Sequence, residues 1–274
     1  MSIQSLDNAR IAPSRVRAEE LAERRSAASD RSTVKSLRKA MAVLHAVAVA
    51  ERPLTIAELA VRARIARPTA YRLVQTLASG GHLVQSPVDG RLSIGFSVLP
   101  LAASLLDRNR LRLEALPHLH AVAQQTGERV NLGILHREEV LYLAGVEKPS
   151  LPTIYSRFGK TVPAHCSALG KAILAFMRNA EVAQILEARP LVGLTPATIT
   201  SMPAFFEELE QTRRRGYAID NEEAAAGTCC VGTTIFDAAN QPIGAISISG
   251  RSLEALTGHV DTLRHTAEVI SHML

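Results

Sequence analysis

A chain of 274 residues suits two domains better than one, and at 47% hydrophobic residues it can bury a sizeable core, although aromatics are only 4% and Trp is absent. No apolar run reaches the roughly 20 residues that span a bilayer, and the first residues lack the apolar segment of a signal peptide, which excludes a membrane or exported reading. The net charge of +5 is unevenly placed: residues 1–112 carry 18 Lys and Arg against 9 Asp and Glu, whereas residues 113–274 carry 13 against 17. A basic front half points to a polyanion, and an acidic back half to a different task. Cys166, Cys229 and Cys230 form neither an even disulfide framework nor metal-type CxxC spacing, so reduced thiols in a cytoplasm are expected.

Residues 1–31, rich in Arg, Ala, Ser and Glu, read as a mobile tail with at most a short helix over Arg15–Arg25. Periodic structure begins near Ser36, where Leu37, Met41, Leu44 and Ala48 recur at helical spacing until Pro53 intervenes. Thr55-Ile56-Ala57-Glu58 is a capping box opening a second helix from Ile56 to Ala63. After the turn Arg64-Ile65-Ala66, Pro68 marks the start of a third helix that ends at Gly80-Gly81. Its apolar face is Ala70, Leu73, Val74 and Leu77, and its polar face is Pro68, Tyr71, Arg72, Gln75 and Ser79. Alternating runs His82–Ser86 and Arg91–Ile94 around Asp89-Gly90 predict a hairpin.

The remaining pattern predicts one helix over Val98–Leu113 and another over Leu113–Gln125, then strands Arg129–His136, Val140–Val146 and Thr153–Phe158. Helices follow over Cys166–Met177, Glu181–Glu187 and Ala204–Arg215, strands over Tyr217–Asp220, Cys230–Phe236 and Ile243–Ser249, and a closing helix over Leu253–Leu274. Strands and helices mixed without strict alternation imply an α+β domain with a largely antiparallel sheet. The chain thus divides into a tail (1–31), a winged helix-turn-helix (32–96), a linker helix (97–113) and a larger α+β domain (114–274), which the resemblance given below makes the effector-binding and oligomerisation domain.

In a helix-turn-helix the second helix of the pair enters the major groove, its N-terminal residues nearest the bases. That places Arg67, Pro68, Thr69, Tyr71, Arg72 and Gln75 at double-stranded DNA. Arg grips guanine and Gln grips adenine in bidentate fashion, so Arg72 and Gln75 are the candidate base readers. Thr55, Arg64, Arg67 and, on the wing, Arg91 are candidates for phosphates. Tyr71 has two readings, against DNA or packed on the wing.

These residues carry a resemblance. The segment "LTIAELAVRARIARPTAYRLVQTLASGGHL" closely resembles the winged helix-turn-helix of the IclR family of bacterial regulators. "VPAHCSALGKAILA" is similar to that family's helix beside its effector pocket, and "GYAIDNEEAAAGTCCVGTTIFD" matches its C-terminal signature. The resemblance covers the chain from about Ser36 to its end. It implies a GAF-like sensing domain for a small molecule, often a carboxylate from a catabolic pathway, and a homodimer or homotetramer on a palindromic operator, with no cofactor. Carried across by motif, the pocket would be lined by Leu151, Ile154, Ala168, Leu169, Asp220, Cys230, Ser247 and Ser249.

The chemistry of those residues fits an anion. Backbone N–H groups at the helix start around Ser167–Leu169 favour negative charge, and Ser247 and Ser249 share one face of a strand. No Arg lies within the pocket motifs, so dipole and hydroxyls would hold the anion, with Arg157 as a helper. Tyr155 and Phe158 favour an aromatic acid. Three rivals remain: a zinc site from His165, Cys166, Asp220, Cys229 and Cys230; a hydrolase with Cys230 as nucleophile and His165 as base; and a ligand-free back domain that only dimerises. Glu223 is expected to buttress a loop, and Arg213-Arg214-Arg215 to complement the C-terminus of their own helix.

Overall fold

A computed structural model describes residues 34–147, 158–187 and 190–274. The expected tail, and all but the last residue of the expected Thr153–Phe158 strand, lie outside the described residues. The chain divides into two compact units between Ser104 and Leu105.

In the first unit, helices α1 (Lys35–Ala48), α2 (Ile56–Arg62) and α3 (Arg67–Ser79) precede a hairpin of β1 (Leu83–Gln85) and β2 (Leu92–Ile94). The capping box forms as the sequence predicts: the Thr55 hydroxyl accepts from the Glu58 N–H, and the Glu58 carboxylate accepts from the Thr55 N–H at 2.8 Å. Pro68 sits in the first turn of α3, where its missing N–H is not needed. The core gathers Val43, Ala46, Val47, Leu54, Leu59, Val74, Leu83 and Leu92, each large side chain contributing about 1.5–3 kcal/mol by burial. Leu54 adds a bridge to Leu92 at the hairpin's side. The apolar stripe expected on α1 is corrected here: Leu37 and Met41 are exposed, and Val43, Ala46 and Val47 face inward. That helix is apolar on two sides, and spacing alone does not choose between them.

Two other expected helices are each divided. The expected Val98–Leu113 helix is α4 (Leu99–Leu106) and the start of α5 (Arg110–Thr126), separated at Asp107–Asn109, where the Asn109 side chain caps the Arg112 N–H at 2.8 Å. The expected closing helix is α9 (Leu253–Thr257) and α10 (Val260–His272), parted at Gly258-His259.

The second unit is built on six antiparallel strands in the order β5-β4-β3-β8-β7-β6, comprising β3 (Arg129–His136), β4 (Glu139–Val146), β5 (Thr161–Pro163), β6 (Ala218–Asn221), β7 (Cys229–Phe236) and β8 (Pro242–Gly250). β5 was not anticipated from the pattern; three residues are too few to show a period. One sheet face packs Val130, Leu132, Val231, Ile235, Ile246 and Ile248 against α5, α9 and α10. The other carries α6 (Ala168–Ala175), flanked by α7 (Asn179–Glu187) and α8 (Met202–Arg215). α6 is shorter than the expected Cys166–Met177 helix, because Ala164–Cys166 form a 3-10 turn and Ser167 is extended. Glycines let α6 lie close: a Cβ on Gly170 would sit 2.1 Å from the Ala164 carbonyl oxygen, and one on Gly232 3.0 Å from the Ala168 carbonyl. No helix among the described residues is long and apolar enough to cross a membrane.

Candidate nucleic-acid interface and ligand site

α3 separates its faces as its sequence does. Ala70 and Val74 are fully buried with Leu73 and Leu77 beside them, while Arg67, Pro68, Tyr71, Arg72 and Gln75 are exposed and Thr69 is half-buried. Tyr71 is 55% exposed, which places it on the outer face with Arg72 and Gln75 rather than in the packing under the wing. Arg64 is exposed in the turn before α3 at a φ of 52°, a left-handed conformation that bulky residues rarely adopt.

Thr55 and Arg91 have work within the module. The Thr55 hydroxyl donates to Glu58 Oε2 at 3.0 Å besides capping the helix. Arg91 Nη1 donates to the Pro53 carbonyl at 2.9 Å and lies 3.5 Å from Glu58, and its Nε is 3.6 Å from Asp89 in the wing turn. Arg52 pairs with Glu58 at 2.6 Å. The Arg52 guanidinium, followed by bonds from Thr55, pulls the Glu58 carboxyl down to about 2. A charged clasp therefore fixes the wing to the start of α2.

In the second unit, strand register assembles a polar row from four strands. Asp220 stands opposite Cys230, Cys230 opposite Ser249, and Ser247 opposite Asn131. The Cys230 Sγ meets Ser249 Oγ at 3.2 Å, Asn131 Nδ2 donates to the same hydroxyl at 3.2 Å, and Cys230 also bonds to Asp220. Alternation puts this row on the face that carries α6, because Val130, Val231, Ile246 and Ile248 point to the other side. Ala168 and Leu169 begin α6 over the same strands, touching the positions of Gly232 and Gly133. The Ser167 hydroxyl accepts from the Gly170 N–H at 3.0 Å and caps the helix. The arrangement thus joins Ala168, Leu169, Asp220, Cys230, Ser247 and Ser249; Leu151 and Ile154, like Tyr155 and Arg157, lie outside the described residues. Burial raises the Asp220 carboxyl above its ordinary range, against the pull of the Glu223 and Ala224 N–H groups it accepts and of Lys171.

Three residues of this region were missed from the sequence. Lys171, 1% exposed within otherwise apolar α6, places Nζ 2.5 Å from Glu223 Oε1 and 3.5 Å from Glu208 Oε1. Glu208 in turn takes Arg215 at 2.6 Å. A lone cation inside "ALGKAILA" was the available signal, since such a residue needs a buried partner. Glu223 thus buttresses its loop as expected, through Lys171, and the loop is held further by Thr198, whose hydroxyl donates to the Glu223 carbonyl at 2.7 Å. Asn131 joins the row, and Arg129 comes to lie beyond its end opposite Ser249, only through the pairing of β3 with β8, which no local pattern reveals. The arginine run differs from expectation in one respect: Arg213 Nε donates to the carbonyl of Ala175, closing the end of α6 rather than of its own helix.

The residues named for the rival chemistries have structural partners of their own. Among the described residues no group of three or more His, Cys, Asp and Glu is placed to hold a metal. His165 Nε2 donates to the Val192 carbonyl at 3.1 Å and its ring meets Phe205 edge-on. Cys166 is fully buried, and burial pushes its thiol up to about 12, far from a nucleophile's range. Cys229 and Cys230 occupy opposite sheet faces.

Comparisons with known proteins agree in both units. The profile of the IclR helix-turn-helix domain matches residues 36–87, and that of the bacterial transcriptional regulator IclR C-terminal domain matches residues 103–272. The HTH-type transcriptional regulator KdgR of Escherichia coli is 32% identical over 243 residues, covering 87% of this chain and 92% of that one. An IclR transcriptional regulator from Alicyclobacillus acidocaldarius is 27% identical with a TM-score of 0.78, over 88% of this chain and 99% of its own. An IclR homologue from Microbacterium hydrocarbonoxydans, solved with 4-hydroxybenzoate, is 27% identical with a TM-score of 0.75 over the same shares, 88% and 99%.

Proposed function

Because this chain belongs to the IclR family of bacterial transcriptional regulators, and is a DNA-binding regulator rather than an enzyme, we propose that a small organic acid of a catabolic pathway controls it from the α6 face of its sheet. The observation that carries this reading is the meeting of Asp220, Cys230, Ser247 and Ser249 with the first turn of α6 on one face. Helix N–H groups favour the carboxylate, and the strand hydroxyls and thiol would orient the rest of the ligand. The 4-hydroxybenzoate bound by the Microbacterium relative supports an acid, and an aromatic one, as the class to try first.

At the operator, Arg72 and Gln75 read base edges, Arg67, Pro68, Thr69 and Tyr71 lie against the groove, and Arg64 holds a phosphate. Thr55 and Arg91 act chiefly by positioning the wing. A palindromic site read by a homodimer, or a homotetramer of paired dimers, suits a single short recognition helix. Phe96, Leu99 and Leu101 support a second copy, being large apolar side chains all more than 60% exposed. In this reading residues 32–96 bind DNA, 97–113 link, and 114–274 sense the ligand and assemble the oligomer, in the cytoplasm where the operator lies.

A thermal-shift titration of the whole protein with aliphatic and aromatic acids, 4-hydroxybenzoate among them, tests the reading, since a ligand bound only by the folded state must raise stability. A stabilising acid whose effect is lost in Cys230→Leu, with operator affinity in gel shift near normal, is the expected result. Stabilisation retained in Cys230→Leu would move the pocket elsewhere, and no stabilisation by any acid would overturn the acid-sensing reading.

A further inference from the structure

Beside the polar row lies a cleft, about 910 Å³ in volume, whose lining includes Glu128, Arg129, Thr228, Ser249, Arg251 and Ser252. Ser249 belongs to both: its hydroxyl meets Cys230 and Asn131 in the row, and it lines the cleft. Arg129 stands opposite Ser249 in the register of β3 with β8 and shares the face of Asn131. Its Nε donates to Glu147 Oε2 at 2.8 Å, and the Glu147 side chain is 8% exposed. Among the described residues the two Nη groups of Arg129 have no partner. One edge of the guanidinium is therefore fixed by a buried acid while the other is presented, pre-oriented, to the cleft. Arg251, exposed, also lines the cleft and adds a second cation, set against Glu128 in the lining and the Glu147 that already holds one edge of Arg129.

We propose that this cleft takes the second carboxylate of a two-headed effector, a dicarboxylic acid whose first head lies at the Asp220–Cys230–Ser247 row and whose second is gripped by the Arg129 fork with help from Arg251. An arginine held at Nε and free at its Nη groups matches a carboxylate in a way that a lysine does not. This rests on the acid-sensing reading above and narrows it to a class of acid.

The test is calorimetric titration of the whole protein with four- to six-carbon dicarboxylates (succinate, glutarate, adipate) and the monocarboxylates of equal length. At least one dicarboxylate should bind ten-fold or more tighter than its partner. Arg129→Lys keeps a cation for Glu147 but loses the fork, and Arg251→Ala removes a side chain that makes no structural bond among the described residues. Arg129→Lys should abolish the dicarboxylate advantage and Arg251→Ala reduce it, each leaving monocarboxylate affinity unchanged. Monocarboxylates that bind as well as dicarboxylates, or an advantage that survives Arg129→Lys, would overturn the second site while leaving the acid pocket standing. Failure of all these aliphatic acids, with an aromatic acid still stabilising the protein in the thermal-shift titration, would overturn the second site alone; failure of every acid in both experiments would overturn both readings.

Discussion

The two units use charge in opposite ways. In the winged module the ion pairs of Arg52, Arg91 and Glu58 lie at the surface and clasp elements that an apolar core already positions. In the ligand unit Lys171, Glu223 and Glu208 lie inside, where α6, α8 and the loop after β6 meet, and Glu223 Oε2 has no partner among the described residues. A surface clasp can lose a member and rehydrate it, whereas a buried one leaves an uncompensated charge. The first unit therefore keeps its ion pairs at the surface, and the second turns several charged side chains inward onto one another.

The sharpest way to break this contrast is Lys171→Ala. It strands two carboxylates near the core and should lower the stability of the second unit by about 3–5 kcal/mol, read as a fall in the urea midpoint. The double change Lys171→Met with Glu223→Leu should recover much of that loss. A loss under about 1 kcal/mol would mean that the pair behaves like a surface bridge, and the contrast between the units would fail.

Next in size is Arg72→Ala, on the outward face of α3. It should weaken specific operator binding by about 1–3 kcal/mol and relax discrimination at one base pair, without changing the melting temperature. Gel-shift titration against the operator and its single-base variants measures this, and unchanged affinity would remove Arg72 from the base readers.

These two residues also show what the sequence could disclose. Arg72 was legible because helix period, a capping box, Pro68 and a hairpin turn are local signals that fix which way a short helix faces. Lys171 was not, because its meaning depends on Glu223, 52 positions away, and on Glu208 in a third element. Five of the six strands of the second unit were placed nearly to the residue, β5 being missed, yet their order, and hence the meeting of Asp220, Cys230, Ser249 and Asn131, is set by pairing between distant segments. Family resemblance supplied Asp220, Cys230, Ser247 and Ser249; it did not supply Arg129 or Lys171. The break at Gly258 escaped because Leu253, Leu256, Val260 and Leu263 carry helical spacing across it, whereas the one at Asn109 lies in the polar run Asp107–Arg110, a local signal that was passed over.

A smaller effect separates the units by pH. Glu58 has its carboxyl lowered to about 2, so its contribution is full above the ordinary carboxylate range and is lost as pH falls towards 2. Asp220 is raised by burial, so the folded state holds its proton more tightly, and stability declines as pH rises out of the ordinary carboxylate range towards the folded value. Hydrogen exchange followed in each unit from pH 3 to 7 should show Glu58→Gln flattening the acid limb of the first and Asp220→Asn flattening the rise in exchange of the second. The same slope in variant and parent would show that the group does not govern that unit.

The smallest expected effect lies at the turn before α3, where stability and binding pull against each other. Arg64 holds a φ of 52°, which costs a bulky residue roughly 1–2 kcal/mol, and its N–H donates to the Val61 carbonyl at 3.1 Å to close the turn. Glycine would relieve that strain but lose roughly 0.5–1 kcal/mol of chain entropy on folding, so Arg64→Gly should stabilise the module by less than about 1 kcal/mol. The same change removes one cation from the basic corner, and it should weaken binding evenly across DNA sequences and reduce the salt slope by about one. A protein that tolerates a strained arginine where glycine is easier has a use for the guanidinium. If Arg64→Gly gains stability and binds DNA with the same salt dependence, that use is not a phosphate, and contact with the backbone falls to the remaining candidates, Thr55, Arg67 and Arg91.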